Sequence, residues 1–509
     1  MNINATLRIT LFLTIFSGLT THAQTFLGLQ HSNMSGIHQA GLNPANIANS
    51  RHKMYFNGLT AGFGFNNDYI GLNLPFPYYK LITGNIPSQY KNANGGVAFD
   101  DNWLTENLNG KPKNMNLFFQ TRGPGAMFQL SKGFSVGIQY KNTISFQIND
   151  VTENLARLAR YGIDSSKGTV SYSGPNQFQI GSTYGDNAFT INLNAYGEIG
   201  ATVAKTIIND DNFVLKVGVT PKLLLGYATG YIKNRGLLIK APGKDTIVFK
   251  ETDVEYGYTN PESFKNPGVI NFGFLNNTLS GKGFGYDVGV SFQINPDATR
   301  EVTNKANNYL FRAGISLLDA GRLSYNKNMK NTRITNTSGE KYFIINDKFA
   351  DAWAQGEDRG IKYTDSVMRT LFTVDTSAKK IVTTMPTTLN LQFDYNIFKA
   401  IYIGANLSQD MRGKKNIGIR KPSYLVVIPR LETKLFELAL PMGMMNDYRN
   451  PRIGLYLRVG PVFIGSDNLV GQLRNSSIYG SDIYFGISTG IPTKKKNSAP
   501  AGGGEGSQN

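Results

Sequence analysis

The chain has 509 residues, no cysteine, four histidines, 17% charged residues and a formal net charge of +17. The missing cysteine excludes a disulfide framework, thiolate metal sites and a cysteine nucleophile; the scatter of Lys and Arg over loops and turns argues for lipid head groups or plain solvation rather than nucleic acid. Fifty-five Gly, 31 Phe and 26 Tyr, with no composition break, suit one continuous sheet-rich unit whose outer face meets lipid.

Arg8, the apolar run Ile9 to Leu19 and the small-residue end at Ala23 predict a signal peptide over residues 1–23, with Gln24 as the mature start. Its apolar core is shorter than the roughly 20 residues a membrane-crossing helix needs. Residues 24–52 are read as a hatch or plug segment, 53–492 as an outer-membrane β-barrel and 493–509, which ends in NSAPAGGGEGSQN after three lysines, as a disordered periplasmic tail. No later stretch approaches 18 apolar residues without charges, so any crossing of a membrane must use strands.

A barrel strand in lipid alternates apolar outside and polar or small inside. From Phe189 the outward set is Phe189, Ile191, Leu193, Ala195, Ile199, Ala201 and Val203, against Thr190, Asn192, Asn194, Tyr196, Glu198 and Thr202. Phe284, Tyr286, Val288, Val290, Phe292 and Ile294 repeat the pattern, as do Leu389, Leu391, Phe393, Tyr395 and Ile397 before a tight turn at Phe398-Lys399. Further strands are expected near Phe134, Phe213, Tyr309, Tyr424, Phe436, Ile453, Val462 and Ile483. Short turns are expected near Asn209-Asp210, Phe398-Lys399, Thr433-Lys434 and Gly460-Pro461, and long loops over 231–281 and 326–384. The sum is an all-β, antiparallel transmembrane barrel of about 14 strands, with 12 or 16 as alternatives and the C-terminus in the periplasm. A soluble sandwich or propeller also alternates, but sandwich strands are about half as long and no propeller repeat is present. Thr152 to Tyr161 is the one expected helix, with Leu155, Leu158 and Ala159 on one face.

The segment GIHQAGLNPANIAN, Gly36 to Asn49, carries Asn43-Pro44-Ala45. This resembles the N-terminal hatch of the long-chain fatty-acid outer-membrane transporters and of Bacteroidota relatives that include the shuttle barrel of the type IX secretion system. GFGYDVGVSFQINP from Gly283, FRAGISLLDAGRLSY from Phe311 and RIGLYLRVGPVFIGSDNL from Arg452 resemble a Bacteroidota outer-membrane barrel family known only as a domain of unknown function. The resemblance covers most of the mature chain and implies a 14-stranded barrel whose N-terminal segment enters the lumen. It implies no substrate. An Asn-Pro pair also starts an ordinary turn, so hatch and simple loop both stand for residues 43–45.

Chemistry for catalysis is thin. All histidines, His22, His31, His38 and His52, precede the strands; a hydrolase base would have to be His52, at the first strand. His31 and His38 could share a helix face, but no cysteine or carboxylate accompanies them, so neither metal nor cofactor is expected. Charges expected on inward faces are Glu198, Lys216, Lys222, Asp287, Arg312, Asp394, Arg452, Arg458 and Asp482. Such groups at membrane depth must face a lumen and find partners, either stiffening the wall or setting ion preference. The expected function is not enzymatic: passage of a hydrophobic or amphipathic compound across the outer membrane. The alternative is a non-transporting scaffold or shuttle for secreted or surface proteins, with the long loops as contacts.

Overall fold

The computed structural model describes residues 26–161 except 83, 94 and 132; 181–259 except 182, 186, 187, 211, 244 and 245; 279–295; 309–344 except 337 and 338; 347–469 except 414 and 415; and 477–493. The expected signal peptide and the tail after Thr493 lie outside these residues.

Fourteen antiparallel strands close into one barrel. In chain order they are β1 His52–Asn67, β2 Lys113–Ser131, β3 Phe134–Val151, β4 Phe189–Asn209, β5 Phe213–Gly243, β6 Gly281–Ile294 and β7 Phe311–Tyr325. Next come β8 Thr388–Phe398, prolonged by Ile381–Thr384, β9 Ile401–Asp410 and β10 Tyr424–Glu432. The last four are β11, in two pieces at Phe436–Ala439 and Met442–Met445, β12 at Asn450–Ile453 and Leu455–Val459, β13 Val462–Ser466 and β14 Gly480–Pro492. Each strand pairs with its sequence neighbours, and β14 pairs back onto β1 from His52↔Pro492 to Asn66↔Gly480. Closure leaves no edge, and a closed barrel is one of two backbone arrangements that satisfy every polar group in lipid. Among the described residues no helix is long and apolar enough to cross a membrane.

The alternation read from the sequence places side chains as expected. On β6, Phe284, Tyr286, Val288, Val290 and Ile294 are exposed, while Gly285, Asp287, Gly289, Ser291 and Gln293 are buried. Phe393, Tyr395 and Ile397 of β8 and Ile401 and Ile403 of β9 continue the exposed apolar wall. The expected turns near Asn209-Asp210, Phe398-Lys399, Thr433-Lys434 and Gly460-Pro461 all lie at one end, with His52 and Pro492. Apart from the connection 295–310 between β6 and β7, the longer connections gather at the other end, called here the loop end.

Two expectations fail at the loop end. Residues 231–259 are not loop: β5 runs on to Gly243 and pairs with a further strand, Thr246–Thr259. Within 326–384, strands Met329–Asn336, Lys341–Ile344 and Thr373–Asp375 add to that sheet, beside helices Asp347–Ala354 and Glu357–Leu371. Above the apolar band both faces of a sheet can be polar, so these strands lose the alternation that marks the wall. The expected helix is present over Glu153–Tyr161.

Candidate functional site

The N-terminal segment fills the lumen. From Phe26 to His52 every residue is buried except Gly41 and Asn49, which are half-buried. Its elements are short: helix α1, Leu27–His31, and two 3₁₀ turns, Gly36–Gly41 and Pro44–Ile47. Phe26, Leu27 and Leu29 pack against Tyr424, Val426, Ile428, Ala439, Tyr456, Phe463 and Tyr484 of β10 to β14. Ile37, Ala40, Ile47 and Ala48 pack on Tyr55, Met127 and Ala204 of β1, β2 and β4.

Asn43-Pro44-Ala45 docks on a third region of the wall. The Asn43 carboxamide caps the turn by accepting from the Ala45 N–H (3.0 Å) and donates to the carbonyl of Val290 on β6 (2.9 Å). Three inward-facing glycines on adjacent strands make the close approach possible. A Cβ at Gly218 would lie 2.4 Å from Ala45 N, at Gly289 2.1 Å from Asn43 Oδ1, and at Gly314 2.8 Å from Asn43 Nδ2. Sequence reading noticed the Asn-Pro-Ala but not its glycine seat; the signal was glycine at the polar parity of β5, β6 and β7.

A buried ionic cluster fastens the segment at the turn end. Asn33 receives Arg312 Nη1 on its Oδ1 (3.0 Å), and its Nδ2 donates to Tyr309 (2.7 Å) and Glu432 (2.9 Å). Ser32 donates to Glu437 (2.8 Å), and Arg51 pairs with Glu432 (3.1 Å) and donates to Tyr402 (2.7 Å). Arg312 and Arg430 share Asp394, the former at 2.8 Å, and Arg458 pairs with Glu437 (3.1 Å). Charges removed from water need such mutual satisfaction.

On the loop side of the segment lies a cavity of about 90 Å³. Gln30 and Gly41 form its floor, and Arg122, Lys141, Glu198, Lys222, Asp287 and Asp319 stand on its walls. Its roof is the connection from β9 to β10, which folds inward across the mouth: Gly418 N–H donates to Asn192 on β4 (2.9 Å) and Arg420 N–H to Gln147 on β3 (2.8 Å). Lys222 is held by Asp287 (2.6 Å) and by Asp319. Asp319 would face lipid if β7 kept strict alternation. A bulge between the pairs Tyr286↔Ala320 and Val288↔Leu317, with Asp319 at φ +53°, turns Leu318 and Asp319 inward together.

All nine charges picked from the sequence are buried. Glu198, Lys222, Asp287 and Arg452 meet in the cavity, while Arg312, Asp394 and Arg458 belong to the turn-end cluster. Asp482 stands apart, accepting from Asp467 N–H (2.6 Å) and Ser466 (3.1 Å). Lys216 projects from β5 in neither group and is 1% exposed. Reading alternation alone missed Arg51, Arg122, Lys141, Asp319, Arg430, Glu432 and Glu437. His31 and His38 fall on separate elements rather than one helix face. Burial, then the neighbouring Arg430, pull His31 down to about 4; burial, then Arg122, pull His38 to about 3. His52 packs edge-on to Tyr55 with ring centres 5.2 Å apart.

Comparison with curated proteins found no match. Among solved structures the chain is similar to the TodX monoaromatic hydrocarbon channel deltaS2 mutant at 8% identity, with a TM-score of 0.37, covering 91% of this chain and 95% of that one. It is similar to the CymD monoaromatic hydrocarbon channel at 9% identity and a TM-score of 0.30, over 91% and 95%. For the Pseudomonas putida toluene transporter TodX the values are 10% identity and 0.29, over 90% and 94%. A family profile matches residues 44–467, and the chain accordingly belongs to the family of unknown function DUF5723.

Proposed function

We propose that this barrel binds an amphipathic compound at the outer membrane and passes it inward, with residues 26–50 as the plug that must yield. The observation that carries the reading is the position of the cavity: walled by β1 to β7 with β11 and β12, roofed by an inward loop and floored by the plug itself. The lining is mixed, with Phe118, Tyr196, Leu318, Ile419 and Met445 beside the charges Arg122, Lys141, Lys222, Arg420, Lys421, Arg452, Glu198, Asp287 and Asp319. Lys141, Lys222, Arg420 and Lys421 are paired with carboxylates, whereas Arg122 and Arg452 are in no ion pair among the described residues. A purely apolar molecule would leave these two without water, so of the hydrophobic and amphipathic classes the second fits, with a polar head of negative charge. In this reading the turn end and the C-terminus face the periplasm, and Asn43-Pro44-Ala45 is the seat of the plug.

The test is mass spectrometry of the full chain purified from outer membranes in mild detergent. A retained amphipathic molecule that disappears when residues 26–50 are deleted supports the reading; an empty barrel in both forms overturns it. One observation favours a second reading, a scaffold or shuttle for secreted or surface proteins. The loop-end strands over 231–259 and 329–375, with the two helices among them, form a body beyond the wall. Stoichiometric partner proteins on an empty barrel would select it.

A further inference from the structure

The outward face of β6 and β7 ends, on the loop side, in cations that the cavity does not use. From Phe284 to Ile294 the outward residues of β6 are apolar. Those ten steps give roughly 34 Å of strand, which at a tilt of about 40° rises roughly 25 Å, the height of the apolar band of such barrels. Lys282 is the next outward residue and is exposed. Arg322 stands directly across from Phe284 on the same face and is also exposed, so it and Lys282 are diagonal neighbours at roughly 7–8 Å. Lys327 is exposed in the turn after β7, whose N–H donates to the Ser280 carbonyl (3.3 Å) just before β6 begins.

Among the described residues none of these three side chains is in an ion pair. The carboxylates higher on the loop end are engaged elsewhere, Asp365 with Lys330 (3.8 Å) and Asp253 with Arg333 (2.9 Å). Exposed lysines at the turn end, Lys205 on β4 and Lys399 and Lys434 in two turns, stand apart from one another. Three unengaged cations above one apolar wall call for a molecule that is anionic at one end and hydrocarbon at the other. A guanidinium matches phosphate oxygens in a two-pronged fork, and the lysines add point charges.

We propose that Lys282, Arg322 and Lys327 bind the phosphate of a lipid in the loop-side leaflet, its acyl chains lying along Phe284 and Tyr286. The site is on the outer wall and is independent of the transport reading. Full-length protein in phosphatidylcholine vesicles doped with bis-phosphorylated lipid A, or with its dephosphorylated form, is extracted gently and the retained lipid counted by native mass spectrometry. The phosphorylated lipid should be retained preferentially. Each cation replaced by alanine should lower retention about fivefold, and K282A/R322A/K327A on the order of a hundredfold. The turn-end triple K205A/K399A/K434A should retain lipid as the unmodified chain does. Heat-modifiable gel mobility reports whether each variant is folded. Equal retention by the loop-end triple, or equal retention of the dephosphorylated lipid, would overturn the proposal. Displacement by inorganic phosphate at matched concentration would also overturn it, by making free phosphate the ligand.

Discussion

Gly218, Gly289 and Gly314 are useful because they lack side chains where the backbone around Asn43-Pro44-Ala45 meets the wall. Gly289→Ala puts a methyl group into Asn43 Oδ1, and overpacking of this kind costs about 1–3 kcal/mol; hydrogen exchange of residues 43–47 should accelerate while that of β9 and β10 does not. The buried histidines supply a second handle. Both are depressed in the folded state, so they contribute plug stability that is fully present above the free value of 6.5 and is lost as the pH falls toward about 4 for His31. Exchange in residues 31–38, corrected for intrinsic rate, should be flat above neutrality and rise as the pH drops from 6.5 to 4.5; a flat profile throughout would contradict buried neutral rings. At this scale the sequence was partly legible. Lys222 and Asp287 follow strand parity and were found, whereas Asp319 sits on the apolar parity of β7 and is redirected by a bulge that alternation cannot foresee.

Strands inside the apolar band were the most legible elements because lipid on one side and a polar lumen on the other force a period of two. The runs from Phe189, Phe284 and Leu389 therefore read correctly. The sheet at 246–259 and 329–344, free of lipid, did not, and neither did the inward fold of residues 416–422, which rests on Asn192 and Gln147 far away in sequence. The same asymmetry makes a substitution test. Val290 is exposed near the middle of the β6 band, so Val290→Arg should destabilise the barrel by about 2–4 kcal/mol. Arg235→Ala, on the exposed Arg235–Asp253 pair of the loop-end sheet, should change stability by less than about 1 kcal/mol. Urea-induced unfolding in detergent micelles measures both; equal effects would mean that β6 does not face lipid.

For the molecule as a whole, an apolar, largely aromatic contact surface on β10 to β14, a glycine seat on β5 to β7 and a charged cluster at the turn end hold one short segment across the lumen. Each contact is legible only after the strands are closed, since partners such as Asn33 and Glu432 are 399 residues apart. The resemblance carried by Asn43-Pro44-Ala45 pointed to a lumenal segment but not to the residues that grip it. The direct measurement is single-channel conductance in planar bilayers, comparing the full chain with a variant lacking residues 26–50 whose folding is verified by heat-modifiable mobility. The full chain should stay silent and the deletion should conduct in steps; equal conductance from both would contradict a plug formed by the N-terminal segment.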